Sequence, residues 1–286
     1  MSAFVNRTLR LGHGQSLTIG ERGLLMGVIN VTPDSFSDGG RFGSVDAAVD
    51  HARALVAAGA AILDIGAEST RPGAASVDAD EEQARLLPVV AAVAQALPDA
   101  IISIDTYRAD TGERAIAAGG HMLNDVWGLQ KDPAMAEIAA RTGAGLMIMH
   151  TNRDRDMDGD VIEDQKAFLG RSLEIAANAG VDPDAIILDP GFGFGKDTQH
   201  NVAILARFAE LTGDDEFGSF CWGVGTSRKR FIGAVTGRDV DQRDVGTAAT
   251  TVALRLAGAG IFRVHDVAIN ADALSIADAI VASGVD

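Results

Sequence analysis

The sequence has very little of several features that would place a chain in a particular class of protein. Its 286 residues include one cysteine, Cys221, so neither an intramolecular disulfide nor a thiolate metal site is available. No stretch reaches the roughly 18 uncharged apolar residues that a membrane-spanning helix needs. Residues 1–19 carry polar side chains throughout and lack the apolar core of a signal peptide. We therefore expect a protein of the cytoplasm with no membrane segment.

Basic residues are also scarce, because 24 lysines and arginines stand against 40 aspartates and glutamates, for a net charge of −16. Nucleic acids and anionic membranes bind through a basic footprint, so neither is an expected partner. A small anionic ligand stays open wherever basic residues cluster locally. The apolar fraction of 47% and the charged fraction of 22% are ordinary for a globular protein and exclude a disordered chain.

Eight short apolar runs recur along the chain, each bounded by turn residues and separated from the next by an amphipathic segment. Such runs are typical of strands that are buried on both faces of a parallel sheet. Residues 4–19 precede them and suit a small β-hairpin. The runs are Leu24–Ile29, Ala61–Ile65, Ile101–Ile104, His121–Leu123, Gly145–Met149, Ala185–Leu188, Phe220–Val224 and Gly260–Val264.

The segments between these runs have the apolar spacing of helices. One of them starts with a capping pattern, Asp78 followed by Glu81, and contains Pro88, which predicts a kink or a later helix start. Eight strand–helix units predict an α/β protein with a (β/α)8 TIM barrel, as a single domain over all 286 residues. We assign residues 1–20 to an N-terminal β-hairpin and residues 24–283 to the barrel. A doubly wound sheet shows the same alternation and stays open as the alternative.

Polar or charged residues follow nearly every apolar run. In a barrel of this kind the carboxyl ends of all eight strands meet at one face, where functional residues lie. A single aspartate after a strand is commonly a helix cap, but several converging carboxylates repel one another unless a ligand or a metal uses them. The residues at the ends of the runs are Asn30, Asp64, Asp105, Asn124, Asp125, His150, Asp189, Arg263 and His265.

These residues suggest the chemistry of both ends of a ligand. A buried carboxylate accepts two parallel hydrogen bonds from a planar N–C–N edge, which a guanidinium group, a pterin and a guanine all have. The amide of Asn124 offers a donor and an acceptor to the same kind of ring. Neighbouring strands seven and eight often form a phosphate site in barrels. Here they are followed by the basic residues Arg228, Lys229, Arg230, Arg263 and His265.

Two loops rich in glycine, proline and hydroxyl side chains, residues 30–40 and 66–73, follow strands and suit mobile lids over a substrate. With the residues at the strand ends, they form an ordered set of motifs that resembles the dihydropteroate synthase family, the pterin-binding enzymes of folate biosynthesis. The matching segments are Met26–Gly40, Asp64–Gly73, Ser103–Thr106, Asn124–Asp125, Met147–His150, Asp189–Lys196, Ser227–Lys229 and Arg263–Asp266.

The resemblance implies a transferase that joins 6-hydroxymethyl-7,8-dihydropterin diphosphate to 4-aminobenzoate, with Mg²⁺ as cofactor and diphosphate as the second product. Members of this family are usually homodimers and are targets of sulfonamides. By resemblance, Asp38, Arg71 and Lys229 are catalytic residues, and Asn30 is the metal ligand. The implied substrate-binding residues are Asp64, Thr70, Asp105, Asn124, Met149, Asp189, Phe194, Gly225, Lys229, Arg263 and His265.

Within this set the resemblance divides the residues between the two ends of the substrate. The pterin edge is assigned to Asp105, Asn124, Asp189 and Lys229, and the diphosphate is assigned to Asn30, Arg263 and His265. The sequence offers no Ser–His–Asp or Cys–His arrangement for nucleophilic catalysis. This agrees with the implied reaction, because an aromatic amine that attacks an activated carbon needs no strong general base.

Two features depart from the family pattern. Arg230 stands where a serine commonly follows the Ser-Arg-Lys motif, near the expected aminobenzoate end, so we expect altered affinity for 4-aminobenzoate or sulfonamides. Residues 151–160 lack the usual Gly-x-Pro pattern, and their mixed charges predict a solvated loop. Two other functions share parts of this pattern. Lys229 and Arg263 disfavour a pterin-barrel methyltransferase, and the presence of every expected residue disfavours a non-catalytic pterin-binding protein.

Overall fold

The computed structural model describes residues 4–31, 40–68, 77–157 and 159–284. Within them, eight parallel strands form a closed barrel, and two antiparallel strands form a separate hairpin that precedes it. The predicted (β/α)8 barrel with an N-terminal hairpin is therefore confirmed. The alternative of a doubly wound sheet is wrong, because the last strand of the barrel pairs with the first and leaves no open edge.

The elements alternate along the chain as the apolar runs predict. The strands are β1 Arg7–Arg10, β2 Ser16–Ile19, β3 Leu24–Asn30, β4 Ile62–Gly66, β5 Ile101–Asp105, β6 Met122–Asp125, β7 Gly145–Met149, β8 Ile186–Asp189, β9 Cys221–Val224 and β10 Ile261–Val264. The helices are α1 Gly40–Ala57, α2 Ala79–Ala96, α3 Ala109–Ala117, α4 Ala134–Thr142, α5 Val161–Ala179, α6 Thr198–Arg207, α7 Ala209–Thr212, α8 Arg230–Thr236, α9 Asp244–Leu256 and α10 Val267–Ala282. No helix in the described ranges is long and apolar enough to cross a bilayer.

Neighbouring strands of the barrel follow one another in chain order from β3 to β10, and β10 closes the barrel against β3. The helices begin where local capping allows them. The carboxylate of Asp78 accepts a hydrogen bond of 2.8 Å from the backbone N–H of Glu81, so α2 begins at the predicted capping pattern. This helix continues through Pro88, so a later start is not observed. The seven-residue helix α8 directly after Lys229 is one that apolar spacing does not predict.

The hairpin seals the amino-terminal end of the barrel. Leu9, Leu11 and Ile19 of the hairpin are buried in one cluster with side chains from seven barrel strands, namely Met26, Ile62, Ile101, Met122, Met147, Ile187 and Ile261. Glycines at two strand starts allow this close approach. A Cβ on Gly145 would lie 2.5 Å from Cδ2 of Leu11, and a Cβ on Gly260 would lie 2.6 Å from Cγ2 of Ile19. A ligand can therefore reach the barrel interior only from the carboxyl ends of the strands, which we call the barrel mouth.

We predict that Leu11→Ala lowers the free energy of unfolding by about 2–5 kcal/mol, because the deleted atoms leave a cavity in the sealed floor of the barrel. Urea unfolding followed by circular dichroism measures this loss. Val5→Ala is the control, because Val5 of the same N-terminal region is 53% exposed, and its truncation should change the stability by no more than about 0.5 kcal/mol. Equal losses in the two variants would show that the hairpin does not close the barrel.

Candidate active site

Five predicted site residues lie one step above the barrel floor. Side chains alternate between the two faces of a strand, so a residue two positions beyond an inward-facing residue also faces inward. Two positions beyond the floor residues of β4, β6, β7, β8 and β10 stand Asp64, Asn124, Met149, Asp189 and Arg263. Strand alternation therefore directs side chains from five strands into the barrel interior, toward the mouth.

The guanidinium of Arg263 joins two carboxylates in this space. Its Nε donates a hydrogen bond of 2.6 Å to Asp64, and its Nη2 donates one of 2.7 Å to Asp105. Asp64 is completely buried and also accepts hydrogen bonds from Ser103 at 2.6 Å and from Asn124 at 3.3 Å. Charge-assisted bonds of this length fix both partners, so Arg263 holds the ends of β4 and β5 to β10.

Burial changes the protonation of Asp105. Removal from water raises the pKa of this carboxyl to about 7, against the opposing effect of Arg263 and with a further upward contribution from the charge of Asp64. The same physical cause raises the pKa of Asp189, while the positive charge of Lys229 and the bond from the backbone N–H of Gly191 oppose it. Both carboxyls of the mouth therefore hold a proton to higher pH than an exposed aspartate does.

Lys229 lies at the end of the turn after β9, the strand that pairs with β8 and β10. Its Nζ donates a hydrogen bond to the backbone carbonyl of Phe192 and lies 4.6 Å from the centre of the Phe194 ring. Burial lowers the pKa of Lys229 to about 7, although the charge of Asp189 acts to raise it. The amine of Lys229 is thus held by the carbonyl of Phe192, near the ring of Phe194 and under the influence of Asp189.

The glycine-rich loop after β8 brings Phe194 into the mouth. Gly191 has a φ of 64°, and a Cβ on it would lie 1.8 Å from the carbonyl oxygen of His150, so only glycine fits there. Lys196 closes the loop by donating a hydrogen bond of 2.9 Å to the carbonyl of Gly191. The guanidinium carbon of Arg153 lies 4.5 Å from the centre of the Phe194 ring. The Phe194 ring therefore has two cations near it.

The other predicted site residues differ in burial and in their contacts. Met149 is buried at the end of β7, and Asn30 is half-buried at the end of β3. Gly225 adjoins the chemistry, because a Cβ on it would lie 3.7 Å from Cβ of Arg263 and 3.9 Å from Nζ of Lys229. The Nδ1 atom of His265 lies 2.9 Å from the hydroxyl of Ser227. The predicted residues Asp38, Thr70 and Arg71 lie outside the described residues.

Comparison with known proteins shows which protein family the chain is related to. The model of the family described as "Pterin binding enzyme" matches residues 26–265. The chain belongs to this family. It is 41% identical to the dihydropteroate synthase of Bacillus subtilis over 94% of this chain and 92% of that protein.

Solved structures agree with the family assignment. The dihydropteroate synthase of Clostridium difficile, solved in the presence of pteroic acid, superposes with a TM-score of 0.87 at 46% identity, over 92% of this chain and 98% of that chain. The enzyme of Xanthomonas albilineans, solved with 4-aminobenzoic acid, has a TM-score of 0.88 at 40% identity, over 98% of this chain and all of that chain. At these identities the relatives share more with this chain than the fold.

The structure corrects two expectations about the loops at the mouth. Arg228 is not a free cation beside Lys229, because it forms two hydrogen bonds of 2.8 Å with the carboxylate of Asp244. In the loop 151–160, predicted to be solvated, residues 151–152 are buried, whereas Asp154, Asp156 and Asp160 are exposed as predicted. The nearby Arg155 donates hydrogen bonds of 2.7 and 2.8 Å to the buried carboxylate of Asp164. One charge of this loop, that of Arg155, neutralises a buried partner, which a count of charges along the sequence does not reveal.

Two residues of the mouth, Ser103 and Arg153, do not stand at the end of a strand and were not predicted from the sequence. Ser103 lies two positions before Asp105 on β5, so strand alternation places it one step above the floor, and period alone could have found it. Arg153 lies in the loop after β7, where no period applies. Its approach to Phe194 depends on how two loops fold against each other, and the sequence carries no local signal for it.

The donor set at the mouth limits how a metal can bind. Among the described residues, no three or more histidine, cysteine, aspartate or glutamate side chains are grouped to hold an ion. The half-buried amide of Asn30 supplies an oxygen of the kind that Mg²⁺ prefers. Mg²⁺ commonly takes only one or two protein ligands and completes its shell with phosphate oxygens and water. The residues therefore fit a magnesium ion that arrives with a diphosphate.

We predict that Asp105→Asn changes how stability depends on pH. The folded chain holds a proton on Asp105 at pH values where the unfolded chain does not, between the ordinary value and about 7. Stability from this group is therefore lost as pH rises through that window, and the asparagine variant lacks this loss. Relative to the wild type, the free energy of unfolding of the variant should rise between about pH 4 and about pH 7.

Asp110→Asn serves as a control of opposite sign in the same urea titrations. Hydrogen bonds from Gln83 and Arg114 lower the pKa of this exposed aspartate, so its stabilising effect is present at high pH and lost as the pH falls. The window of this control lies below the ordinary aspartate value, so its stability relative to the wild type should stay constant between about pH 4 and about pH 7 and change only at lower pH. If Asp105→Asn is equally constant between about pH 4 and about pH 7, the raised pKa of Asp105 is wrong.

Proposed function

We propose that the chain catalyses the dihydropteroate synthase reaction, joining 6-hydroxymethyl-7,8-dihydropterin diphosphate to 4-aminobenzoate and releasing 7,8-dihydropteroate and diphosphate. The observation that carries this proposal is the mouth itself, where buried carboxylates, an amide, a lysine and an aromatic ring come together. The family relationship supports it, since relatives of this name were solved with pteroic acid and with 4-aminobenzoic acid. The chain is accordingly an enzyme of the transferase class.

The pterin end of the substrate suits the acceptors on the barrel strands. Asp189 and Asp105 end β8 and β5, and Asn124 lies between them on β6. A carboxylate accepts two parallel bonds from the amino group and the ring N–H of the pterin, and Asn124 matches the adjacent donor and acceptor. Burial of all three groups increases the selectivity of this recognition, because a ligand that lacks the N–C–N edge would leave buried acceptors without partners. Lys229 completes this end from the turn after β9, the neighbour of β8.

The diphosphate end suits Arg263, His265 and Asn30. The two carboxylate bonds of Arg263 use Nε and Nη2, so its Nη1 edge is the part that a phosphate oxygen would take. His265 follows β10 directly and lies over the same end of the barrel. Mg²⁺, held through Asn30 and the diphosphate, would supply Lewis-acid stabilisation of the leaving group. Asp38, Thr70 and Arg71 of the two loops are proposed, by resemblance only, to complete this end.

The chemistry follows from these two ends. The bond between the exocyclic carbon and the diphosphate oxygen breaks, and its electron pair leaves with the diphosphate. Cations around the diphosphate stabilise the negative charge that develops on it. The electron-rich dihydropterin stabilises the positive charge at the exocyclic carbon, and the amine nitrogen of 4-aminobenzoate then forms the new bond to this carbon. The amine loses one proton to water or to the departing diphosphate, so no strong general base is required.

We also propose that the chain forms a homodimer in the cytoplasm. Among the described residues, most of the exposed large apolar side chains lie between α8 and α10, namely Val235, Val240, Val245, Leu256, Ile276 and Ile280. Single exposed apolar residues are ordinary, but a concentration of them on neighbouring helices marks an interaction surface. A second copy of the chain fits this surface because a twofold contact pairs apolar face with apolar face.

The direct test of the function mixes the protein with dihydropterin diphosphate, Mg²⁺ and 4-aminobenzoate and measures the released diphosphate together with dihydropteroate. We expect release that depends on both the amine and the metal. Separate controls omit the amine and omit the metal. Pterin binding without diphosphate release would refute the synthase function and return the protein to the pterin-binding or methyltransferase alternatives.

We predict that Asp189→Asn weakens dihydropterin binding by about 10–100-fold, because the new amide presents a donor to a donor edge of the ligand. Calorimetric titration with the dihydropterin measures this change. Asp214→Asn is the matched control, since Asp214 pairs with Lys166 at 2.9 Å away from the mouth, and its affinity should equal that of the wild type. Unchanged affinity in Asp189→Asn would remove Asp189 from the pterin site.

A further inference from the structure

The turn that carries Lys229 has an unusual backbone. Residues 225–229 connect β9 to α8, and Arg228 within them has a φ of 58°. This left-handed conformation is unfavourable for every residue that has a Cβ, and glycine is the residue that adopts it without strain. A strained arginine directly before a functional lysine needs surrounding contacts that hold it there.

One face of α9 supplies these contacts. Asp244, Thr247 and Thr250 are spaced by three residues and so lie along the same side of this helix. The carboxylate of Asp244 accepts two hydrogen bonds of 2.8 Å from the guanidinium of Arg228. The hydroxyl of Thr247 accepts one of 3.1 Å from the backbone N–H of Arg228, and the hydroxyls of Thr250 and Thr226 lie 2.7 Å apart.

Further bonds hold the turn from its carbonyl side and from the neighbouring strand. Arg243 donates a hydrogen bond of 3.1 Å to the backbone carbonyl of Arg228. On the other side, the hydroxyl of Ser227 accepts a hydrogen bond of 3.1 Å from the backbone N–H of His265. The backbone N–H and carbonyl of Arg228 and its side chain are thus all bonded to residues around α9. The conformation of the turn is therefore set by α9 and by the loop after β10.

The direction of Lys229 follows from this turn, because its Cα directly follows the left-handed residue. If Arg228 relaxed to a right-handed or extended conformation, Nζ of Lys229 would leave the carbonyl of Phe192. The charged groups that act on Lys229 in its present place are Asp189 from β8, Asp105 from β5, Arg263 from β10 and Arg153 from the loop after β7. Displacement of the amine would remove it from all four influences and from its buried surroundings.

We propose that Arg228 is a positioning residue whose ion pair with Asp244 holds the turn in its left-handed conformation and thereby places the amine of Lys229 in the barrel mouth. Its guanidinium faces α9, so it does not serve as a phosphate ligand. The place of Lys229 does not depend on which reaction the enzyme performs. Only the effect on turnover rests on the proposed synthase function.

Three variants separate the ion pair from the backbone strain. Arg228→Ala removes the pair and keeps the Cβ that disfavours the left-handed conformation. Asp244→Asn removes the charge of the partner without changing its size. Arg228→Gly also removes the pair but accepts the left-handed conformation without strain, so the bonds from Thr247 and Arg243 should suffice to keep the turn. Glycine should therefore rescue what alanine loses.

The lysine content of the chain makes a direct measurement practical. The sequence has four lysines, Lys131, Lys166, Lys196 and Lys229. Incorporation of lysine labelled with ¹³C at Cε should give four signals, and Lys229→Arg assigns the relevant one. The pKa of Lys229, read by NMR titration of the ligand-free protein, should rise toward its ordinary value in Arg228→Ala and Asp244→Asn. It should stay near that of the wild type in Arg228→Gly.

Turnover gives a second, independent readout. The kcat/KM for dihydropterin diphosphate should fall about tenfold or more in Arg228→Ala. A tenfold fall corresponds to the loss of about 1.4 kcal/mol of transition-state stabilisation. Arg228→Gly should recover most of it. Arg114→Ala is the control for loss of an arginine–aspartate pair, because Arg114 pairs with Asp110 on α3, and it should leave both the Lys229 pKa and the turnover unchanged.

A wild-type pKa of Lys229 in Arg228→Ala would overturn the proposal, because the turn would then hold without the ion pair. A loss in Arg228→Gly equal to that in Arg228→Ala would also overturn it, since backbone strain would then not be what the pair opposes. If the wild type fails to release diphosphate while the titrations behave as expected, the proposed function fails and the positioning role of Arg228 stands.

Discussion

The ion pair of Arg263 with Asp64 and Asp105 allows charged groups to occupy the interior of a closed barrel. A lone buried carboxylate or guanidinium loses several kcal/mol of hydration free energy. This cost is comparable to the whole free energy of unfolding of a domain. Here Arg263 donates hydrogen bonds of 2.6 Å to Asp64 and 2.7 Å to Asp105, so opposite charges lie in direct contact. Ser103 and Asn124 donate further hydrogen bonds to Asp64. This arrangement requires that β4, β5 and β10 stand in the observed register, so the site and the closure of the barrel depend on each other.

The same burial adjusts the protonation of the other charged groups at the mouth. Asp105 and Lys229 both have pKa values shifted to about 7, from opposite directions and for the same reason, which is removal from water. Near neutral pH each group is therefore divided between its charged and its neutral form, and the charge of the mouth depends on small changes in its surroundings. A ligand that offers hydrogen bonds to Asp105 or Asp189 would favour their ionised forms, so binding and proton release are coupled.

Most of the barrel and part of the site could be predicted from the sequence, for one physical reason. Residues of parallel strands are buried on both faces, so each strand reads as an apolar run, and its last residues must face the mouth. This logic found Asp64, Asn124, Asp189 and Arg263 without a structure. It could not assign Arg228, because its partner Asp244 is sixteen positions away on a helix and no period connects the two. Nor could it find Arg153, whose place depends on the packing of two loops.

The count of charges at the mouth explains why so acidic a chain can accept a diphosphate. Among the described residues, the carboxylates of Asp64, Asp105 and Asp189 are balanced by the cations Lys229, Arg263, Arg153 and Lys196, whereas the whole chain carries a net charge of −16. The mouth is therefore nearly neutral against an acidic background, and a diphosphate would add more negative charge than these cations can balance. Since the guanidinium of Arg228 is already paired with Asp244, the missing positive charge has to come from elsewhere. We propose that a divalent cation entering with the diphosphate supplies it, which agrees with the magnesium that the family resemblance implies.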